Sequence, residues 1–259
     1  MKKYLYYHVY LSDEYSTWVY PFMEQMKMME DHHLLSSFDD ITITCVSQQD
    51  DRIKIFADLC MSFELPNAKL IVFKNNHSND GVMLSGINNS ETITENVILQ
   101  RIWNDSQNDD FTALYLHTKG ITSVDNHLKK RNIGTFKNYY YWRQFLNWGV
   151  IENWERCVES LNTHDVAGVN YFDEPCPHFS GNFWWSNSSY LRRLPDPSTI
   201  DWWKNLQSKT RDSWLRTAPD RFRDEMWVCS DSNAKVYSVK NLDTVTNLSA
   251  KLIKRKEYV

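Results

Sequence analysis

Phe111-Thr112-Ala113-Leu114-Tyr115-Leu116-His117-Thr118-Lys119-Gly120 is an apolar run that stops in three polar residues and a glycine. A short apolar run bounded by a turn signal reads as a strand buried on both faces, the kind found inside a parallel sheet. Tyr4–Leu11, Ile41–Val46 and Lys69–Phe73 are three more aromatic or β-branched runs of that kind. Helical signals lie between them. Trp18, Phe22, Met26 and Met29 recur every three or four residues. Arg52–Phe63 reads as a helix stopped near Pro66. Glu91–Trp103 carries Ile93, Val97, Ile98 and Ile102 in register, with Ser90 as its N-cap. Four strands alternating with three helices predict an α/β fold, with a mostly parallel, Rossmann-like central sheet and helices on both faces. Ligands of such sheets collect at the carboxyl ends of the strands. The segments to inspect are therefore Ser12–Glu14, Ser47–Asp51, Lys74–Asp80 and His117–Gly120.

The second half changes character. Phe136–Leu161 reads as a long aromatic helix or helix pair, with Tyr139, Trp142, Leu146, Val150, Trp154 and Val158 on one core-facing stripe. Asp165–Phe172 reads as one strand. Phe179–Trp185 is a strand-like segment running into a helix, Ser188–Leu194, that Pro195 ends. A helix at Ile200–Leu206, the segment Arg221–Val228 and a strand at Lys235–Val239 follow. No repeat or low-complexity linker divides the 259 residues, which suit a single domain.

Composition narrows the function. A net charge of -4 leaves no basic excess for a nucleic-acid backbone, so no nucleic-acid partner is expected. The one basic run is Lys251, Lys254, Arg255 and Lys256, which reads as a solvated tail, with a peripheral membrane contact as the second choice. No apolar stretch approaches the ~20 residues of a membrane span. Met1-Lys2-Lys3 has the charge of a signal peptide but no apolar region follows, so the expected location is cytoplasmic. The 5 cysteines are odd in number and form no Cys-x-x-Cys, which predicts reduced thiols and no zinc ribbon. Aromatic residues make up 14% of the chain, an excess that suits either bulky core packing or the stacking of sugar C–H faces.

Three constellations could carry chemistry. In the first, Lys119 supplies positive charge, His117 and Thr118 supply hydrogen bonds, and Gly120 allows close backbone approach, as a phosphate or sugar subsite requires. In the second, His178-Phe179-Ser180-Gly181-Asn182-Phe183-Trp184-Trp185, hydrogen-bonding groups sit beside aromatic rings, a mixture that fits a carbohydrate as well as a core strand with a polar kink. The third, Arg221-Phe222-Arg223-Asp224-Glu225-Met226-Trp227, sets two adjacent carboxylates among arginines. Neighbours on a helix do not share a face, so one acid can serve as a base while the other pairs with an arginine.

Together these blocks resemble glycosyltransferases of the GT-A type encoded by large algal viruses and bacterial surface-polysaccharide loci. The matching pieces are His8-Val9-Tyr10 followed by Trp18, the block from Tyr115 to Gly120, Trp142-Arg143, the block from His178 to Trp185 followed by Tyr190-Leu191 and Leu194-Pro195, and Arg223 to Trp227. The resemblance implies a hexosyl- or pentosyltransferase, of which a viral xylosyltransferase in the host cytoplasm is the most specific form. A nucleotide-sugar donor, UDP-linked and with UDP-xylose as one choice, would bind residues of about 1–120, with His8, Tyr10, His117, Thr118, Lys119 and Gly120 as its contacts. A glycan acceptor would bind residues of about 121–259, through Asp173, His178, Ser180, Gly181, Asn182, Trp184 and Trp185. Glu225, then Asp224, then Asp173 would be the base of an inverting transfer. One departure is plain: the chain has no Asp-x-Asp, the usual metal-holding motif of this group. A lysine could neutralise the leaving diphosphate instead, so no divalent metal is expected. The same departure supports the alternative, a catalytically inactive carbohydrate-binding relative.

Overall fold

The computed structural model describes residues 1–11, 16–47, 49–63, 65, 67–74, 95–118, 133–218, 222–242 and 253–259. Its strands are β1 (Lys2–Tyr10), β2 (Asp40–Ser47), β3 (Ala68–Lys74), β4 (Phe111–His117), β5 (Val166–Gly168), β6 (Tyr171–Phe172), β7 (His178–Phe179), β8 (Trp184–Asn187) and β9 (Val236–Ser238). Seven of them form one sheet in the order β3-β2-β1-β4-β8-β5-β9, and β6 pairs with β7 as a separate ribbon. β1 to β4 are mutually parallel where they pair, β8 runs antiparallel to both β4 and β5, and β9 runs parallel to β5. This is the mostly parallel, Rossmann-like α/β sheet that the strand pattern predicts. The strand order reverses between β1 and β4, so the crevice at their carboxyl ends is where a ligand of such a sheet belongs.

Alternation along the strands builds two cores, one on each face. Leu5, Tyr7 and Val9 of β1 join Ile41, Ile43, Leu114 and Leu116 on one face. There helix α1 (Val19–Asp31) buries Phe22, Met26 and Met29, on the stripe read from the sequence, and helix α2 (Asp50–Met61) buries Phe56. Tyr6, Phe111, Ala113 and Tyr115 face the other way, against Ile98, Leu99 and Ile102 of helix α3 (Asn96–Asn108). β4 is buried along its whole length, which is why its sequence shows no polar alternation.

Two runs read as single strands are each broken by a left-handed residue. Asn170 (φ 61) turns the chain between β5 and β6, its N–H donating to the Lys240 carbonyl at 2.8 Å. Gly181 (φ 104) and Asn182 (φ 58) separate β7 from β8. The aromatic helix is likewise a composite: α4 (Ile133–Asn147) passes through a π-helical turn at Trp148–Glu152 into a short helix, Trp154–Ser160. The described part of the basic C-terminal run is docked, not a free tail. Ile253 and Tyr258 are buried, Tyr258 lies 5.0 Å from the Phe145 ring, and Arg255 forks onto Glu152 at 2.8 and 2.6 Å. No described helix is long and apolar enough to cross a membrane.

Candidate functional site

His8 and His117 are register partners at the carboxyl ends of β1 and β4, on the face covered by α3. Thr118 laces the two strand ends together: its N–H donates to the His8 carbonyl and its hydroxyl accepts from the Tyr10 N–H, each at 3.1 Å. Thr118 and the backbone of Tyr10 thus shape the strand ends. His8 shares a 2.8 Å hydrogen bond with Thr44 of β2. Burial holds the His8 imidazole down at about 4, with Glu95 opposing the shift and His117 adding to it.

Glu95, immediately before α3, organises the rest. Its Oε2 accepts from the Tyr115 hydroxyl at 2.6 Å and from Asn182 Nδ2 at 2.9 Å, and its Oε1 lies 3.5 Å from His117 Nδ1. The other nitrogen of His117 is 3.0 Å from the Gly181 carbonyl, which can only accept, so Nε2 carries a hydrogen. Asn182 is the hub. It also donates to the Asp224 carbonyl at 3.2 Å and accepts from the Trp184 indole at 3.0 Å. Tyr115 is pushed well above its ordinary range by burial first, then by Glu95, with the negative charges of Asp224 and Glu225 adding to it. Asp224 is buried against Arg223, 3.6 Å away, whereas Glu225 is half-buried.

His8, His117, Gly181, Asn182, Asp224 and Glu225 therefore converge at one end of the sheet. His178 and Ser180 are buried on the approach to the Gly181–Asn182 turn, with His178 Nδ1 donating to the Cys176 carbonyl at 2.8 Å. Asp173 is exposed past the end of β6, beside Tyr171. Trp184 and Trp185 depart from the sugar-stacking expectation. Both are fully buried, one in each core, because adjacent residues of a strand point to opposite faces. Arg143, on the far face, is spent on Glu24 at 2.9 Å, bracing α4 on α1. Lys119 and Gly120 lie outside the described residues, as do Asp13 and Asp80. Glu95 escapes sequence reading because it falls inside the helix expected at Glu91–Trp103. Its place off the stripe of Ile93, Val97, Ile98 and Ile102 was the available signal.

Two consequences can be measured. A Cβ on Gly181 would sit 2.5 Å from Leu146 Cδ1, at a φ that only glycine adopts without strain. Gly181→Ala is expected to cost about 2–4 kcal/mol, strain and overpacking combined. An unchanged urea midpoint would show that the turn relaxes freely. The second concerns acid. His8 binds its proton near 4 when folded and near 6.5 when unfolded. Between those values the unfolded chain holds more protons, so stability falls as pH drops from 6.5 towards 4, by about 3 kcal/mol for this group. His8→Asn should remove that component from the pH dependence of urea unfolding. A variant as acid-sensitive as the parent would assign the effect elsewhere.

A Rossmann-like α/β sheet with a buried polar cluster at its β1–β4 crevice is thus the class to which fold and site assign the chain. The chain belongs to the family described as Domain of unknown function (DUF8361), which it matches over residues 6–252. Among solved structures it is similar to 4-diphosphocytidyl-2C-methyl-D-erythritol synthase from Anaerococcus prevotii. That similarity has 10% identity and a TM-score of 0.40, over 95% of this chain and 93% of that one. No curated protein matches the sequence.

Proposed function

We propose that the chain is an inverting glycosyltransferase that moves a sugar from a nucleoside-diphosphate donor, UDP-linked and with UDP-xylose the first to try, onto a glycan hydroxyl. The observation that carries this reading is that His8, His117, Asn182 and Glu225, from the blocks that resemble GT-A enzymes, gather with Glu95 at the β1–β4 switch point. The donor lies over the carboxyl ends of β1 and β4. Glu225 takes the proton of the acceptor hydroxyl as its oxygen bonds to the anomeric carbon. The bond from that carbon to the diphosphate oxygen breaks, and the nucleoside diphosphate leaves. Glu95 does not touch the substrates. It holds His117, Tyr115 and Asn182 in place.

In this scheme Lys119 supplies the positive charge on the leaving diphosphate. The described carboxylates fit a divalent metal poorly, since Glu95 already accepts from Tyr115 and Asn182 and Asp224 packs on Arg223. Turnover therefore survives EDTA. The test is a panel of nucleotide sugars followed by thermal shift and by nucleoside-diphosphate release, with and without EDTA. Stabilisation with release supports the transferase. Stabilisation by glycans without release returns the chain to an inactive carbohydrate-binding role, and response to neither removes the reading.

A further inference from the structure

Trp184 and Trp185 are buried and present no face to a sugar ring. Of the 11 tryptophans, Trp214 is the exposed one, at 44%. It sits on the short helix Ser213–Thr217, which Asp212 caps through the Leu215 N–H at 2.7 Å. Its ring is held edge to face against Phe222, at 5.1 Å and 71°. The next residue, Leu215, is buried in a small third core with Cys176, Trp203, Ala218 and Met226, and Phe222 packs on that core. Met226 follows Glu225. Neighbours of both Trp214 and Glu225, Leu215 and Met226, therefore share one core, and Phe222 touches Trp214 and stands one helical turn before Glu225.

The residues around Trp214 state what it would bind. Arg211, Ser213, Arg216 and Thr217 flank it and are exposed. An indole bordered by hydrogen-bonding side chains matches a sugar, whose C–H face meets the ring and whose hydroxyls meet the border. An apolar protein surface would instead desolvate those polar groups without repayment. We propose that Trp214 is the stacking platform for a pyranose ring of the acceptor glycan, a role that rests on the transferase reading for the word acceptor.

Indole N–H signals of 15N-labelled protein, followed during titration with methyl glycosides of glucose, galactose, mannose and xylose, test this directly. The Trp214 signal is identified by its loss in Trp214→Phe. It is expected to move with at least one glycoside. Affinity for that glycoside should fall about tenfold in Trp214→Ala, and much less in Trp214→Phe, a tenfold change being the scale of one aromatic contact. Tyr20→Ala, at an exposed ring on α1, should change nothing. A Trp214 signal unmoved by all four sugars, or equal affinity in Trp214→Ala, overturns the platform. The two readings fail separately: a moving signal without nucleoside-diphosphate release keeps the platform and removes the transferase, and release with an unmoved signal does the reverse.

Discussion

Glu225→Gln is expected to leave nucleotide-sugar binding intact and to lower transfer by about 10²-fold or more, the scale of a lost general base. The choice between the two adjacent acids rests on their surroundings. Asp224 is 3% exposed and lies against a buried Arg223, so its charge serves the fold. Breaking that pair through Asp224→Asn should act on stability first, since an orphaned buried guanidinium costs several kcal/mol. Glu225 is half-buried, and with Glu95 and Asp224 it acts on the Tyr115 hydroxyl. Steady-state kinetics with the donor and acceptor varied in turn, alongside urea unfolding of both variants, separates the roles. Near-normal transfer in Glu225→Gln with a collapse in a folded Asp224→Asn would exchange them.

Trp185→Ala should unfold the protein more readily by about 3–5 kcal/mol, the range for removing a large buried aromatic side chain. Its ring stacks on Phe38 at 6.0 Å and its indole donates to the Val150 carbonyl at 2.9 Å, so the loss opens a cavity and strands an acceptor in the π-helical turn. A sugar-stacking role would give the opposite pattern, a folded protein of normal stability with poor acceptor affinity. Urea unfolding and acceptor kinetics on the same preparation distinguish them.

The strands and the first three helices were legible because each carries one dominant periodicity. β4 shows it best: an uninterrupted apolar run ending at His117 has few ways to sit other than in the middle of a parallel sheet. Legibility failed where one residue overrode a pattern. Asn170 and Asn182 adopt left-handed backbone inside strand-like runs, held there by hydrogen bonds from distant segments that local propensity does not contain. The candidate site was half legible. His117, Asn182 and Glu225 announced themselves as polar residues in aromatic surroundings. Glu95 did not, because its partners Tyr115, His117 and Asn182 are 20 or more positions away and only the fold brings them to it. The tandem tryptophans misled for a related reason, since an aromatic pair looks the same whether its rings meet a sugar or two cores.

The central position of β1 has a consequence for how the chain comes to be folded at all. β1, β2 and β3 can assemble from neighbouring sequence, but the other edge of β1 waits for β4, Thr118 standing 108 positions after Tyr10. Closure at such separation is slow, and until it happens an apolar strand edge is open to pairing with another chain. Weakened β4 pairing would therefore be felt first as aggregation during synthesis. Soluble yield, more than the melting temperature of the molecules that survive, is the sensitive measure of changes along that seam.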